Sequence, residues 1–426
     1  MADFCDIRAH RAKAAGQAAA EFDAEAGNYT DEEAEQHAGE VGARPRPMET
    51  KNEIDENGAF VRQPNAFTRP FGDGPDDLKA EAGRYRLFWA KGCNWSNRPK
   101  IAIGLLGLEG VISDQLVYGT GESNRYGWGF PDQKGHKDPA TGAYFLSQFY
   151  QNADPDFHGR ATTPTLVDLK EKKAVNNDYH RLTNYLEVQF RKFQPVDAPD
   201  LYPKKCRREI DELNDWLFPH INNGHYRMAF CQSLAAYSEA FDDFWDSMDL
   251  LEERLGNNRF LFGDFITDSD IRLFVTLVRW DITYFRNVGP VKHRIQDYKN
   301  LWPYAKELYA IPAFRKATYL KDMAAGRGRS DKNTQIFADW NTRIAPQIDF
   351  DALWKDNGER AKLSRHPDRL FLRHPEGETA EAYQSRISQT IWNSERQKDR
   401  EPNDPAHSPL SAPADVNPLK GIIDAD

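Results

Sequence analysis

Apolar residues fall into short runs separated by turn signals in the first half of this chain, and into three- and four-residue spacing in the second. Tyr85-Arg86-Leu87-Phe88-Trp89-Ala90 is an apolar run of strand length, so residues 84–90 are predicted as a first strand. The amphipathic run Ile101-Ala102-Ile103-Gly104-Leu105-Leu106-Gly107-Leu108 predicts a helix whose body spans Pro99 to Leu108. Proline is tolerated in a helix's first turn, so Pro99 puts the helix start near Ser96 or Asn97. Val111 to Tyr118 reads as a second strand, and a loop with Gly119, Gly121, Gly127, Gly129 and Gly135 follows it. Tyr144 to Gln151 reads as a helix. The run Thr162-Thr163-Pro164-Thr165-Leu166-Val167-Asp168 enters a strand through Thr-Pro, a candidate cis bond in a tight turn. Ala174-Val175-Asn176-Asn177 reads as a last short strand and turn. Asp178 then begins a helix with the apolar face Leu182, Tyr185, Leu186 and Phe190.

After Pro195, Pro199 and Pro203 only helical spacing remains. Ile210 to Ile221, Leu234 to Leu255 and Asp270 to Phe285 are predicted helices, and Thr267-Asp268-Ser269-Asp270 has the form of a capping box. Pro303 to Tyr309 is another helix, with a stop at Pro312. The order strand, helix, strand, helix, strand, strand, helix is a thioredoxin-like layout with Cys93 at its active position and Pro164 opposite. A thioredoxin-like α/β domain followed by an all-α domain is the glutathione transferase architecture. The expected organisation is a mobile tail over 1–59, a thioredoxin-like thiol-binding domain over 60–195, an all-helical domain over 196–325 and a C-terminal extension over 326–426. Residues 395–426 are charged and proline-rich and are expected to be disordered, while Phe350 to Trp354 is expected to pack as a strap.

Composition narrows the function classes. The chain has 426 residues, a formal net charge of −10 and a pI near 5.7, which argues against a nucleic-acid surface. Mean hydropathy is −0.77, and no apolar run reaches 18 residues, so no membrane span is expected. The start, Met1-Ala2-Asp3-Phe4-Cys5-Asp6, has acids and no apolar core of a secretory signal. Four cysteines in a chain this long fit a reducing cytoplasm rather than a disulfide scaffold. No Cys/His cluster has zinc spacing, so no metal is expected. Aromatic residues make up 12% of the chain, enough to wall a pocket with rings.

Cys93 carries the chemistry. It lies in Gly92-Cys93-Asn94-Trp95-Ser96-Asn97-Arg98, between a strand and a helix, where backbone N–H groups and the helix dipole favour a thiolate. The spacing is Cys-x-x-Ser, so no local thiol can close a disulfide, and the expected product is a mixed disulfide with an outside thiol. Cys5, Cys206 and Cys231 are read as incidental.

Seven blocks in register make the chain resemble a known family. They are Ala80 to Tyr85 leading into the cysteine motif, Tyr126-Gly127-Trp128-Gly129-Phe130, Gly159-Arg160, Val175-Asn176-Asn177, Asn222-Asn223-Gly224-His225-Tyr226, Asp270 to Phe274, and Asp297 to Trp302. Together they resemble the glutathionyl-hydroquinone reductases, the Xi class of glutathione transferases, from about Phe60 to Met323. The resemblance implies a cytoplasmic oxidoreductase that takes a small aromatic thiol conjugate, a hydroquinone joined to glutathione through a thioether. The active cysteine attacks the glutathione sulfur, the hydroquinone leaves, and a second glutathione resolves the mixed disulfide. Cys93 matches the nucleophile, and Trp128 and Arg160 match the thiol contacts. Thr163 precedes the cis-proline, where its backbone would pair the cofactor's cysteinyl part. Tyr226 and Tyr298 are implied as catalytic phenols, and Tyr284 and Tyr304 as substrate-binding ones. A homodimer through the helical domain is also implied.

Two departures from the family pattern matter. The usual Cys-Pro-Trp-Ala-His-Arg is here Cys93-Asn94-Trp95-Ser96-Asn97-Arg98, which frees φ at residue 94 and adds an N–H near the sulfur. The usual Glu-Ser after the Asn-Asn pair is here Asp178-Tyr179, which reshapes the subsite for the γ-glutamyl end. The co-substrate is therefore expected to be glutathione or another low-molecular-weight thiol. Two rival readings are an omega-like thioltransferase or dehydroascorbate-type reductase, and a non-enzymatic interaction protein on a transferase fold.

Overall fold

The computed structural model describes residues 41, 52–118, 126–130, 133, 134, 137–289, 291–325 and 343–382. Cys5, the loop glycines Gly119, Gly121 and Gly135, and the expected disorder over 395–426 lie outside the described residues, as does most of the expected tail over 1–59.

The first half of the fold is built on β1 (Tyr85–Trp89), β2 (Ser113–Leu116), β3 (Thr165–Asp168) and β4 (Lys173–Asn176). They form one sheet in the order β2-β1-β3-β4, with β1 parallel to β2 and antiparallel to β3, and β3 antiparallel to β4. Alternation along β1 divides its side chains between two cores. Tyr85, Leu87 and Trp89 enter the main core with Ile101, Ala102 and Ile103 of α1 (Asn94–Leu105). Phe88 points the other way, into a second cluster with Phe149 and Tyr150 of α2 (Ser147–Ala153). This is the thioredoxin-like layout that the periodicity predicts.

The observed α1 starts at Asn94, earlier than the proline rule suggests, so Pro99 lies inside the helix. The reason is packing. Asn94, Ser96 and Asn97 are 0% exposed and Arg98 1%, so tertiary contacts in this turn override local preference. The helix expected from Asp178 spans Leu182–Val188, α3.

The second half is helical: α4 (Arg207–Leu217), a wider turn over Phe218–Asn222, α5 (Gly224–Phe230), α6 (Leu234–Asn257), α7 (Asp268–Trp280), α8 (Leu301–Ala310), α9 (Pro312–Ala317) and α10 (Leu320–Ala325). Pro312 opens α9 as its first residue instead of ending a helix, since a proline at that position gives up no hydrogen bond. The helix predicted to reach Phe285 stops at Trp280, and Tyr284–Asn287 forms a separate 3-10 turn.

Every residue of α7 is buried, which makes it the axis of the helical half. Its start is held from two sides. Asp270 reaches back to accept the Thr267 N–H at 2.8 Å, completing the predicted box, and also accepts the Leu261 N–H at 3.0 Å. Asp268 takes the Arg272 Nε–H at 2.7 Å, with Asn214 Nδ2 of α4 at 2.9 Å and Asn184 Nδ2 of α3 at 3.2 Å. Arg272 Nη2 also donates to Thr183 Oγ1 at 3.1 Å. One buried ion pair thus joins α3, α4 and α7.

The described part of the C-terminal extension packs on this half. In α11 (Phe350–Leu353) and beyond, Trp354 is 2% exposed, with its ring 4.7 Å from Trp302 and 5.5 Å from Tyr309. The Leu370 carbonyl accepts from Ile266 N at 2.9 Å, and that of Leu372 from Asp200 N at 3.0 Å. Among the described residues no helix is long and apolar enough to cross a membrane.

Asp268→Asn leaves Arg272 charged and buried without its carboxylate. Urea unfolding should show a loss of about 3–5 kcal/mol. A loss below about 1 kcal/mol would mean the amide network, not the ion pair, holds the three helices.

Candidate active site

Cys93 is the residue before α1, in extended conformation at φ −85° and ψ 116°, half-buried and free of any disulfide. Its N–H donates to Ala90 O at 3.1 Å, and its carbonyl accepts the Asn97 N–H at 3.2 Å. The Thr163–Pro164 bond is cis, and Cys93 Sγ lies 3.4 Å from the Thr163 carbonyl, to which the thiol donates. The sheet therefore brings the helix start and the proline turn together.

The loop before Cys93 is fixed from the helical half. Arg279, at the end of α7 and 0% exposed, donates to Gly92 O at 3.3 Å, Lys91 O at 3.4 Å and Val275 O at 2.7 Å, and also to Asn97 Oδ1. Asn97 in turn gives its amide N–H to Ala317 O at 3.0 Å. Sequence reasoning missed Arg279, because nothing in the chain's spacing joins residue 279 to residue 92.

An aromatic wall rises beside the sulfur. The Trp95 ring lies 4.7 Å from Tyr179, 5.5 Å from Phe218 and 6.0 Å from Tyr226. The Tyr226 hydroxyl donates to Asn94 Oδ1 at 3.3 Å and lies 3.4 Å from that of Tyr284. The His225 ring stacks on Tyr284 at 3.8 Å. Burial raises both phenols above the ordinary tyrosine value and pushes the His225 imidazole down to about 3, so all three are neutral near pH 7. Asn94, one of the chain's departures from the family motif, is thus the residue that meets the Tyr226 hydroxyl.

Of the expected thiol contacts, Trp128 is half-buried and packs on the same apolar cluster as Cys93, with its carbonyl accepting the Leu146 N–H at 2.9 Å. Arg160 pairs with Glu53 at 3.6 Å. Asp178 is buried, and Oδ1 accepts from His180 N at 3.1 Å and Asn65 Nδ2 at 3.3 Å. Desolvation raises its carboxyl above the ordinary range, against the pull of Arg181. The Tyr179 ring is taken up by Trp95, His180 and Phe218, and burial pushes its hydroxyl up to about 12.

Two expected phenols do not join the cluster. Tyr298 donates to Asp249 Oδ1 at 2.9 Å, and Tyr304, 0% exposed, to Asp270 Oδ1 at 2.7 Å. A buried hydroxyl needs a partner, and these two find carboxylates within the helical half. Among the described residues no hydrogen bond or ring contact links either to Cys93, Tyr226 or Tyr284.

Residues 52–59 fall in the expected tail, yet the segment 52–67 packs beside the site. Besides Glu53 and Asn65 it brings Arg62, whose guanidinium lies 4.6 Å from the Tyr226 ring centre and 5.1 Å from that of Trp95. It is tied to the helical half: Gly58 O accepts from Gln232 N at 2.7 Å, Asn57 O from Ser233 Oγ at 2.7 Å, and Phe60 meets Phe230 at 5.3 Å. Phe60 and Phe67, apolar among prolines and glycines, were the signal in the sequence. Among the described residues no group of three or more His, Cys, Asp or Glu side chains is placed to hold a metal.

Comparison with known proteins bears on this geometry. Residues 235–307 match the family model for the glutathione S-transferase C-terminal domain. The chain is 36% identical to the glutathionyl-hydroquinone reductase YqjG of Escherichia coli over 264 residues, covering 60% of this chain and 80% of that protein. It is 38% identical to the glutathionyl-hydroquinone reductase PcpF of Sphingobium chlorophenolicum over 245 residues, or 57% of this chain and 76% of PcpF. The glutathione-bound structure of YqjG superposes with a TM-score of 0.58 at 33% identity, covering 64% of this chain and 91% of that one. The Xi glutathione transferase of Phanerochaete chrysosporium gives 0.60 at 32% identity, covering 64% and 88%.

Asp178 is an acid buried at a cost. A native carboxyl with a raised pKa binds more protons than the unfolded chain, so stability falls as pH rises from the ordinary carboxylate range through the raised value. Asp178→Asn should therefore gain stability over wild type as pH rises through that window, with no such gain well below it. Urea midpoints of both proteins across pH measure the gap. A gap that moves against the variant as pH rises would reverse the assignment.

Proposed function

This chain belongs to the glutathionyl-hydroquinone reductases, the Xi class of glutathione transferases, and from that premise we propose that it uses a small thiol to cleave thioether conjugates of hydroquinones. The observation that carries the reading is the Cys93 sulfur at the start of α1, 3.4 Å from the carbonyl that precedes a cis-proline, with an aromatic wall beside it.

The Cys93 thiolate attacks the thiol sulfur of the conjugate. The carbon–sulfur bond breaks and its electron pair passes to the ring, which leaves as the hydroquinone after taking up a proton. A second thiolate then attacks the mixed disulfide on Cys93, releasing the oxidised thiol and restoring the enzyme. The ring is reduced by two electrons, and the conjugate's sulfur and the second thiol are together oxidised to a disulfide.

Trp128, Arg160, Thr163 and Asp178 are the proposed contacts of the thiol. The backbone of Thr163 pairs with its cysteinyl part, and Asp178 faces its ammonium group, a charge that would offset the cost of burying the carboxylate. Glutathione is the co-substrate that the family points to. Asp178 and the packed ring of Tyr179 shape a subsite that also fits another low-molecular-weight thiol. Of the four expected tyrosines, Tyr226 and Tyr284, both neutral phenols, are the proposed groups that face the ring.

Cys93→Ser should lower turnover of glutathionyl-hydroquinone by at least about a thousandfold while leaving the far-UV circular dichroism unchanged. Turnover near wild type would end the proposal. Mass spectrometry after exposure to oxidised glutathione, bacillithiol, mycothiol or γ-glutamylcysteine, each alone, should find an adduct on Cys93. The thiol that adds at the lowest concentration is the co-substrate.

A further inference from the structure

We propose that Arg62 is a substrate-binding residue whose guanidinium receives the ring oxygen that becomes anionic as the hydroquinone leaves. The inference rests on the reductase reading above and adds a group to that site.

The position of Arg62 is defined by its partners. Its guanidinium carbon lies 4.6 Å from the ring centre of Tyr226, 5.1 Å from that of Trp95 and 5.3 Å from that of Phe60. Nε donates to Asn223 Oδ1 at 3.0 Å, and Nη2 is buried with no hydrogen-bond partner. Among the described residues no carboxylate pairs with it. The cation thus sits among aromatic faces that favour positive charge but accept no strong hydrogen bond. A buried N–H donor without an acceptor is costly, and an incoming oxygen removes that cost.

The same position suits the reaction. Tyr226 bridges from Arg62 to Asn94, the residue after the nucleophile, through a hydroxyl bond of 3.3 Å. Burial keeps Tyr226 and Tyr284 neutral, so no phenolate of the protein uses up the charge of Arg62. In the keto form of the conjugate the sulfur-bearing carbon is tetrahedral and already holds the hydrogen that the ring keeps. When the Cys93 thiolate bonds to the thiol sulfur, the carbon–sulfur pair moves through the ring to the carbonyl oxygen, which becomes a phenolate and then takes a proton. A fixed cation placed where that charge appears lowers the barrier for this step. Reduction of an aliphatic mixed disulfide at the same cysteine creates no ring oxyanion, so it does not draw on Arg62 in this way.

The test uses the full chain and its Arg62→Met and Arg62→Lys variants. The substrates are glutathione conjugates of hydroquinones graded from methoxy- to chloro-substituted, and the mixed disulfide of glutathione with 2-mercaptoethanol. Circular dichroism checks the fold. The expected result is a ratio of hydroquinone to disulfide kcat/KM that falls at least about tenfold in Arg62→Met, through kcat more than KM. The loss should shrink as the leaving oxygen becomes more acidic, and Arg62→Lys should recover part of it. Equal losses on both substrate classes, with no dependence on leaving-group acidity, would mean that Arg62 only anchors the segment 52–67, and the proposal would fall. If wild type reduces the disulfide but cleaves no hydroquinone conjugate, the reductase reading and this proposal fall together. That outcome is distinct from the first, which leaves wild-type hydroquinone turnover intact.

Discussion

The site depends on Arg279, a guanidinium that the helical half buries against the thiol-bearing half. From the end of α7 it holds the carbonyls of Lys91 and Gly92 and the side chain of Asn97, which bracket Cys93. Burying such a group costs several kcal/mol, offset only if its donors are satisfied. Its hydrogen bonds all end on neutral acceptors, so the charge itself is left without a carboxylate among the described residues. At the other end of α7, Asp268 and Arg272 tie down α3 and α4. One buried helix, pinned at both ends by arginines, therefore sets where the sheet, the Cys93 turn and the aromatic wall meet.

The wall itself belongs to neither half. Trp95 comes from α1, Tyr179 from the turn after β4, and Tyr226 from α5. Arg62 and Phe60 come from the segment that precedes the sheet. Arg98, 1% exposed, carries the same logic inward: it stacks on Trp95 at 4.7 Å and donates to Asn222 Oδ1 at 2.6 Å. Burial and the neighbouring Arg272 pull it down to about 9. Asn222 passes the contact on to Arg272 O and Thr276 Oγ1 of α7, both at 2.8 Å.

Periodicity made the architecture legible because it records burial. The faces of β1 and the long stripe of α6 could be read from spacing alone, and Thr-Pro ahead of a strand pointed to the turn opposite Cys93. The capping box at Thr267 was legible because both partners lie within one turn. What spacing could not show was any contact across the two halves. Arg279 with Gly92 and Arg98 with Asn222 are 187 and 124 positions apart. The tyrosines could not be told apart in sequence for a related reason. Tyr226, Tyr284, Tyr298 and Tyr304 look alike in sequence, and only the nearest polar partner separates them: Asn94 and a second phenol for the first two, Asp249 and Asp270 for the others. The start of α1 was misjudged because a buried first turn outweighed the proline rule.

The charge around Cys93 runs against the charge of the whole chain. The sequence carries a net −10, yet Arg98 and Arg279 lie near the sulfur and Arg62 lies against its aromatic wall, and none of them forms an ion pair with a described carboxylate. Acidic groups near the cleft are handled differently: Glu53 is paired with Arg160, and Asp178 is held by amide donors with its carboxyl raised by burial. Unpaired buried cations lower stability, and folds keep such costs where a ligand or a reaction uses them. The proposed chemistry generates anions in sequence: a thiolate on the protein, a phenolate on the leaving ring, and a second thiolate from the resolving thiol. Arg62, Arg98 and Arg279 with the neutral phenols meet them without rearranging, because none of these three guanidiniums has a carboxylate to be displaced first. The cost of burying Arg98 and Arg279 and of half-burying Arg62 is borne by the large apolar cores of both halves, which leaves the cleft free to be electrostatically unbalanced.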